Sequence, residues 1–337
     1  MRLLAALERQ PLDRPPVWFM RQAGRYLPEY RQIRETHTFE ESMTNPGIAT
    51  EITLQPLRRF SLDAAIVFAD IMTPLIGMGV AIEFQPGPKL DPMTVDGVAD
   101  LDPLDPVTVG FVAETIQRVR SSLTPDVGVI GFAGGPITLL AYLLEGGAST
   151  TYPRFRAGLH HERIEEALIV LSMSTRLYLR AQVEAGADVV QLFDSWAGLL
   201  SLDEFQRLAV PAARHALAGV AVPTIYFVPG GSHLLEVMPE VGAVGYGVDW
   251  RLPLRIAWER LGTDRVIQGN LDPGVLMSSP STVRAEVEKV LIDSEGRPGH
   301  IFNLGHGILP GTPIENVTAM VEAVTACSEV EMGRLVV

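Results

Sequence analysis

The chain carries eight short apolar runs, each closed by a polar or glycine-rich turn, and this series constrains the fold more than any other feature. The runs are PPVWFM (15–20), AAIVFA (64–69), VGVIGFA (127–133), DVVQLF (188–193), PTIYFV (223–228), AVGYGV (243–248), RVIQ (265–268) and HIFNL (300–304). A strand with one wet face alternates apolar and polar residues; these runs are too continuously apolar for that, so both faces must be covered. Between them lie segments that repeat every three or four residues, such as Val109, Val112, Ile116, Val119 and Leu123, or Ile314, Val317, Val321 and Val324. β runs alternating with helices predict a parallel sheet wrapped by helices, and eight of them predict an α/β fold of the closed (β/α)8 TIM-barrel type. No composition break or internal repeat marks a second unit, so residues 1–337 read as a single domain. One insert interrupts the alternation at 73–97, after the second run, where VAIEF and the turn Pro86-Gly87-Pro88 suggest a hairpin.

In such a barrel the chemistry sits at the carboxyl ends of the strands. The polar residues that end the runs should therefore meet at one mouth: Arg21 and Arg25, Asp70, Ser195, Asp249, Asn270 and His306. Each has a plainer reading. Arg21 and Arg25 could be a solvated pair bridged to Glu29 or Glu35, although strand-end placement beside Gly24 favours binding. Asp70 could cap the next helix, but apolar neighbours in IVFADIM make an unpaired carboxylate costly there. Asp249 and Asn270 suit turn or cap roles best. His306 lies between two glycines, where the backbone can bring a ring close to a ligand. Ser195 in FDSWAG lacks the flanking glycines of a nucleophile elbow and reads as a hydrogen-bond donor. Tyr142, on an apolar helical stretch, reads as a core tyrosine with its hydroxyl at the edge.

Charge narrows the ligand. The formal net charge of -13 argues against a nucleic-acid partner, which needs a broad basic surface. Yet Lys89 and Lys289 are the only lysines, and seven arginines (Arg2, Arg9, Arg14, Arg21, Arg25, Arg31 and Arg34) fall in the first 34 residues. Arginine grips carboxylates in a planar, two-pronged way, so a local cluster on an acidic chain suggests a small polyanionic ligand. Coding bias would account for arginine replacing lysine elsewhere. No apolar run reaches eighteen residues and the N-terminal stretch is too short for a signal peptide, which predicts a cytoplasmic protein without membrane association. The single cysteine, Cys327, excludes an internal disulfide and a multi-cysteine metal site. Walker A, G-x-G-x-x-G and H-E-x-x-H patterns are absent, and nothing in the residues calls for a metal or cofactor.

PVWFMRQAGRYLPEYR, GFAGGPITLLAYLLEGG, FDSWAGLLS and NLGHGILPGTP resemble, in order, the motifs of the uroporphyrinogen decarboxylase family, over residues 8 to 325. The resemblance implies a (β/α)8 barrel, usually a cytoplasmic homodimer, that works without metal or prosthetic group. Its reaction removes four acetate carboxyl groups from the tetrapyrrole uroporphyrinogen III to give coproporphyrinogen III in haem synthesis. It implies that Arg21, Arg25 and Arg34 contact substrate carboxylates, with Gln22, Ala23 and Gly24 beside them, and that Asp70 faces the pyrrole nitrogens. Tyr142, Ser195 and His306 become the remaining substrate contacts, and Arg21 and His306 the candidates for proton transfer. One departure is Ala69, where the resemblance implies a small hydroxyl residue; only the backbone amide is available there. Two alternatives stay open: a corrinoid or thiol methyltransferase of the same barrel superfamily, whose zinc is held by His and Cys, and a non-catalytic tetrapyrrole binder. Cys327, expected on the last helix, is poorly placed for the first.

Overall fold

The computed structural model describes residues 1–84 and 87–326. Seven of the eight runs form strands: β1 (Ala64–Ile66), β2 (Gly128–Gly134), β3 (Val189–Phe193), β4 (Thr224–Phe227), β5 (Gly245–Gly247), β6 (Val266–Leu271) and β7 (His300–Leu304). They pair in sequence order and every pairing is parallel. Helices such as Gly110–Ser122 and Ile164–Glu184 cross between consecutive strands, which is how parallel neighbours must be joined. All strand residues except Phe193 are buried, as the unbroken apolar runs require. The result is a curled, parallel, TIM-like sheet clothed in helices.

The first run departs from the expectation. Instead of a strand it makes one parallel bridge, Val17 to Phe302 of β7. The reason lies in its amides. Pro15 and Pro16 have none, Val17 N–H goes to the Asp63 carboxylate at 2.8 Å, Phe19 N–H to Gln22 Oε1 at 3.3 Å, and Met20 N–H to Asn303 Oδ1 at 3.2 Å. Side chains thus take the donors a ladder would use. Trp18 N–H still reaches Phe302 O at 3.4 Å, and Val17 O accepts from Asp63 N–H at 2.9 Å, so the run has hydrogen bonds toward β7 and toward the residue preceding β1. Asp63 also takes a two-pronged grip from Arg14, at 2.7 and 3.1 Å.

The expected hairpin at 73–97 also changes. Its start is a short helix, Thr73–Gly77, and its middle holds a single antiparallel bridge, Glu83 with Lys89, whose two backbone hydrogen bonds are both 2.8 Å. Gln85 and Pro86, part of the expected turn, lie outside the described residues. The last helix, Ile314–Ala326, begins one turn position later than Thr312-Pro313 suggests, and Cys327 lies outside the described residues. Among the described residues, no helix is long and apolar enough to cross a membrane.

Candidate active site

The carboxyl ends of the strands open into one cleft of about 600 Å³. Arg21, Ala23, Gly24, Arg25, Arg34, Asp70, Tyr142, Ser195 and His306 all line it, so nine of the residues singled out in the sequence are brought together. Its floor is apolar. Phe132, Phe193 and Phe227, at the ends of β2, β3 and β4, stack edge to face with ring centroids 5.6 and 6.1 Å apart. Such pairs contribute about 0.5–1.5 kcal/mol beyond their burial and make a rigid platform for a flat ligand.

Arg21 opens the site from the end of the first run. It has a left-handed backbone (φ 62°), rare for a residue with a side chain, and the turn is closed by Gln22 N–H to Phe19 O at 3.1 Å. Two glycines make room: a Cβ at Gly24 would stand 2.9 Å from the Arg21 carbonyl oxygen, and one at Gly307 would stand 2.5 Å from Arg21 Cδ. The loops are further joined by Ile308 N–H to Met20 O at 3.0 Å, which carries His306 to the same wall as Arg21.

The suggested surface partners do not engage these arginines. Glu29 is gripped by Arg59, at 2.5 and 2.8 Å. Among the described residues, Arg21, Arg25 and Arg34 have no carboxylate partner, whereas Arg2, Arg14, Arg58, Arg118, Arg120, Arg156, Arg163 and Arg260 each do. Arg34 is steadied by His37 O at 2.7 Å and by the Phe39 ring, 5.8 Å from its guanidinium. Three guanidinium groups therefore face a cleft whose lining has one acid, Asp70.

Asp70 is partly buried at the end of the second run. Oδ1 accepts Met72 N–H at 2.9 Å, and its carbonyl accepts both the amide and the hydroxyl of Thr73, at 3.1 and 2.7 Å. Oδ2 has no hydrogen-bond partner among the described residues. Burial pushes the Asp70 carboxyl above the ordinary aspartate range; the Met72 amide and the Arg21 charge pull the other way. His306 accepts Gly307 N–H on Nδ1 at 2.7 Å, which puts the proton of the neutral ring on Nε2. Burial, then the charges of Arg21 and Arg251, push the imidazole below its ordinary value against a smaller pull from Asp249. Burial pushes the Tyr142 hydroxyl up, so it stays a donor.

Three residues stand elsewhere. Gln22 was expected among the substrate contacts, but it is fully buried: Nε2 donates to Ala64 O at 3.0 Å, Oε1 accepts from Phe19, and its carbonyl accepts the Tyr26 hydroxyl at 2.8 Å. It pins the arginine loop to β1. Asp249 and Asn270 also lie outside the cleft lining and hold loops, as their turn-type positions suggested. Asp249 accepts from Gly230 N–H, Arg251 N–H and Arg251 Nη1, and Asn270 Nδ2 donates to Asp249 O and Leu252 O. The sequence reading missed Asp194, buried behind Ser195; its only sign was a charged residue closing an apolar run.

The family model for uroporphyrinogen decarboxylase (URO-D) matches residues 1–327. The chain belongs to the uroporphyrinogen decarboxylase family. A protein of that name from Alkalilimnicola ehrlichii is 45% identical, over 96% of this chain and 93% of its own. One from Rhodococcus jostii is 44% identical, over 96% and 94%. Among solved structures, a methyltransferase from Methanosarcina mazei is similar with a TM-score of 0.83 and 26% identity, over 96% of this chain and 97% of that one. A uroporphyrinogen decarboxylase family chain thus shares its frame with a methyltransferase, and the residues at the mouth must choose the chemistry.

Proposed function

We propose that the chain is a uroporphyrinogen decarboxylase, a carboxy-lyase that converts uroporphyrinogen III to coproporphyrinogen III with release of four CO2, in haem biosynthesis. The observation that carries this reading is the cleft itself: three arginines without carboxylate partners among the described residues, one acid, and an apolar aromatic floor. A macrocycle with eight carboxylates on its rim and pyrrole N–H groups at its centre complements that arrangement.

Each cycle begins with a proton added to a ring carbon, which turns one pyrrole into a cation. The C–C bond to the acetate carboxyl then breaks, its electron pair neutralises the ring, and CO2 leaves. The exocyclic carbon then takes a proton and the ring carbon gives up the one it gained, which restores the pyrrole, so acetate plus one net proton becomes methyl plus CO2. The ring is the electron sink, and no metal or prosthetic group enters the scheme. Asp70 accepts from the pyrrole N–H groups and stabilises the cation; the cation in turn opposes the burial that raises the Asp70 pKa. Arg21, Arg25 and Arg34 hold carboxylates, with the Ala23 and Gly24 backbone alongside. Tyr142, Ser195 and His306 Nε2–H supply the neutral donors.

The reading extends to the frame. Residues 1–337 form one domain in which the run 15–20 closes the ring as its eighth stave, supported by its hydrogen bonds toward both β7 and Asp63. The protein works in the cytoplasm as a homodimer, a reading supported by the resemblance of its motifs to the family; sedimentation equilibrium at micromolar concentration should give twice the chain mass.

The test is to incubate the purified protein, with no added metal or cofactor, with freshly reduced uroporphyrinogen III and to separate the oxidised products by carboxyl count. Species with seven down to four carboxyls are expected. An unchanged eight-carboxyl peak with tight binding would point to a tetrapyrrole carrier, and an unchanged peak without binding would reopen the methyltransferase reading that the likeness to the Methanosarcina mazei protein favours.

A further inference from the structure

The part of the cleft lined by Ser195 and Tyr142 is held from behind by a fully buried carboxylate. Asp194 follows β3 immediately and has no exposed surface. Its Oδ1 accepts from both the amide and the hydroxyl of Thr138, each at 2.9 Å, and its Oδ2 accepts the Tyr226 hydroxyl at 3.0 Å. Thr138 Oγ1 in turn accepts Trp196 N–H at 3.1 Å. Two different segments therefore meet on one side chain: the Ser195-Trp196 turn and the helix Pro136–Glu145, which bears Tyr142 one turn after Thr138.

The local sequence is built for this contact. Gly135, at the N-cap position of that helix, has no side chain to bind the first amides. A Cβ there would stand 2.3 Å from Asp194 Cγ, so glycine is what lets the carboxylate reach the helix end and act as its cap from another strand. The Trp196 ring then packs edge-on against Tyr142, with centroids 6.1 Å apart, which couples the turn to the tyrosine a second time.

We propose that Asp194 is a positioning residue for the decarboxylation: through Thr138 and Tyr226 it fixes Ser195 and Tyr142 in the cleft they share with Arg21, Arg25 and Asp70. This rests on the functional reading above. Burial raises the Asp194 pKa to about 6, while the Thr138 and Tyr226 hydrogen bonds lower it, which is the behaviour of a carboxylate held by donors rather than by a cation.

The experiment compares D194A, D194N, T138V and T138S in the full-length protein, with kcat and KM for uroporphyrinogen III and the urea midpoint of each. Losing a charge-assisted hydrogen bond that places two substrate donors should lower kcat/KM about ten-fold to a hundred-fold in D194A, mostly through KM. T138V should lose several-fold in the same way. D194N keeps an acceptor for Thr138 and T138S keeps the bridging hydroxyl, so both should stay within about three-fold of the parent. Parent-like kcat/KM in folded D194A overturns the proposal, as does a T138S no better than T138V, or a loss that merely follows the folded fraction with KM unchanged.

If the parent leaves uroporphyrinogen III unchanged, the substrate reading fails separately. Positioning is then read without substrate, from acrylamide quenching of Trp196 in a background where Trp18, Trp250 and Trp258 are replaced by Phe. T138V must raise the quenching and T138S must not; equal quenching in both overturns the proposal.

Discussion

Asp70 and Asp249 each follow an apolar run, one inside the cleft lining and one outside it, and the comparison shows what makes a strand-end acid available for chemistry. Both fold back so that one carboxylate oxygen accepts the amide two residues on, Met72 in one case and Arg251 in the other, each at 2.9 Å. Their second oxygens differ. Asp249 Oδ2 takes Gly230 N–H at 2.5 Å and the Arg251 guanidinium at 2.6 Å, so its acceptor capacity is filled within the protein. Among the described residues Asp70 Oδ2 has no such partner; Asp70 borders the cleft, with the Arg21 charge as its electrostatic counterweight. The same amide contact goes with a loop tie at Asp249 and with an open acceptor at Asp70.

The largest test of that contrast exchanges each acid for its amide. Asp70→Asn should cut turnover by about 100-fold or more, the ~3–4 kcal/mol expected from one preorganised charged group, with the urea midpoint near that of the parent. Asp249→Asn should do the reverse, lowering stability by about 1–3 kcal/mol while kcat stays within a few-fold. Near-normal turnover in Asp70→Asn would remove it from the chemistry, and equal turnover losses in both would erase the contrast.

Asp194 adds a third acid, with no cation beside it among the described residues, and this has a pH signature. Its folded pKa of about 6 lies above the ordinary value of 3.8, so its contribution is fully present below about pH 4 and is lost as the pH rises through 6. The full shift corresponds to about 3 kcal/mol at most. Asp194→Asn stays neutral throughout, so its stability relative to the parent should improve between pH 4 and 7; a pH-independent difference in urea midpoints would contradict this.

Arg21 sharpens the comparison from the cation side. Its charge lowers the Asp70 pKa, so Arg21→Ala should raise that pKa and move the acidic limb of kcat/KM to higher pH, along with about a ten-fold rise in KM from the lost carboxylate grip. An unmoved limb would mean that Asp70 does not set it. The smallest effect is expected from His306. Burial and the nearby arginines keep its ring neutral near pH 7, so His306→Asn should retain the parent's acidic limb while binding weakens a few-fold. Loss of the alkaline limb, which a group that must be protonated would set, would make His306 the proton donor.

Much of this was legible in the chain. Seven of the eight apolar runs are strands because a run apolar on both faces has little choice but a covered parallel sheet. The nine cleft residues come together because a parallel sheet with crossing helices sends every strand's carboxyl end the same way. The first run escaped because the competing acceptors, Asp63, Gln22 and Asn303, are distant or ambiguous in sequence. Gln22 looked like its neighbours Arg21 and Ala23, and only the turn direction sends it inward to Ala64. Asp194 resembled any other strand-end turn residue until Thr138 and Tyr226 were seen beside it.

The sequence by itself determined the kinds of group at the mouth and the sheet that gathers them, since hydrophobic periodicity and residue chemistry are local properties. Tertiary structure decided which of those groups remain open to a ligand. Arg21, Arg25 and Asp70 differ from Arg251 and Asp249 in what stands next to them, and the second oxygen of Asp249 is filled in part by Gly230, a neighbour in space that the chain order does not reveal.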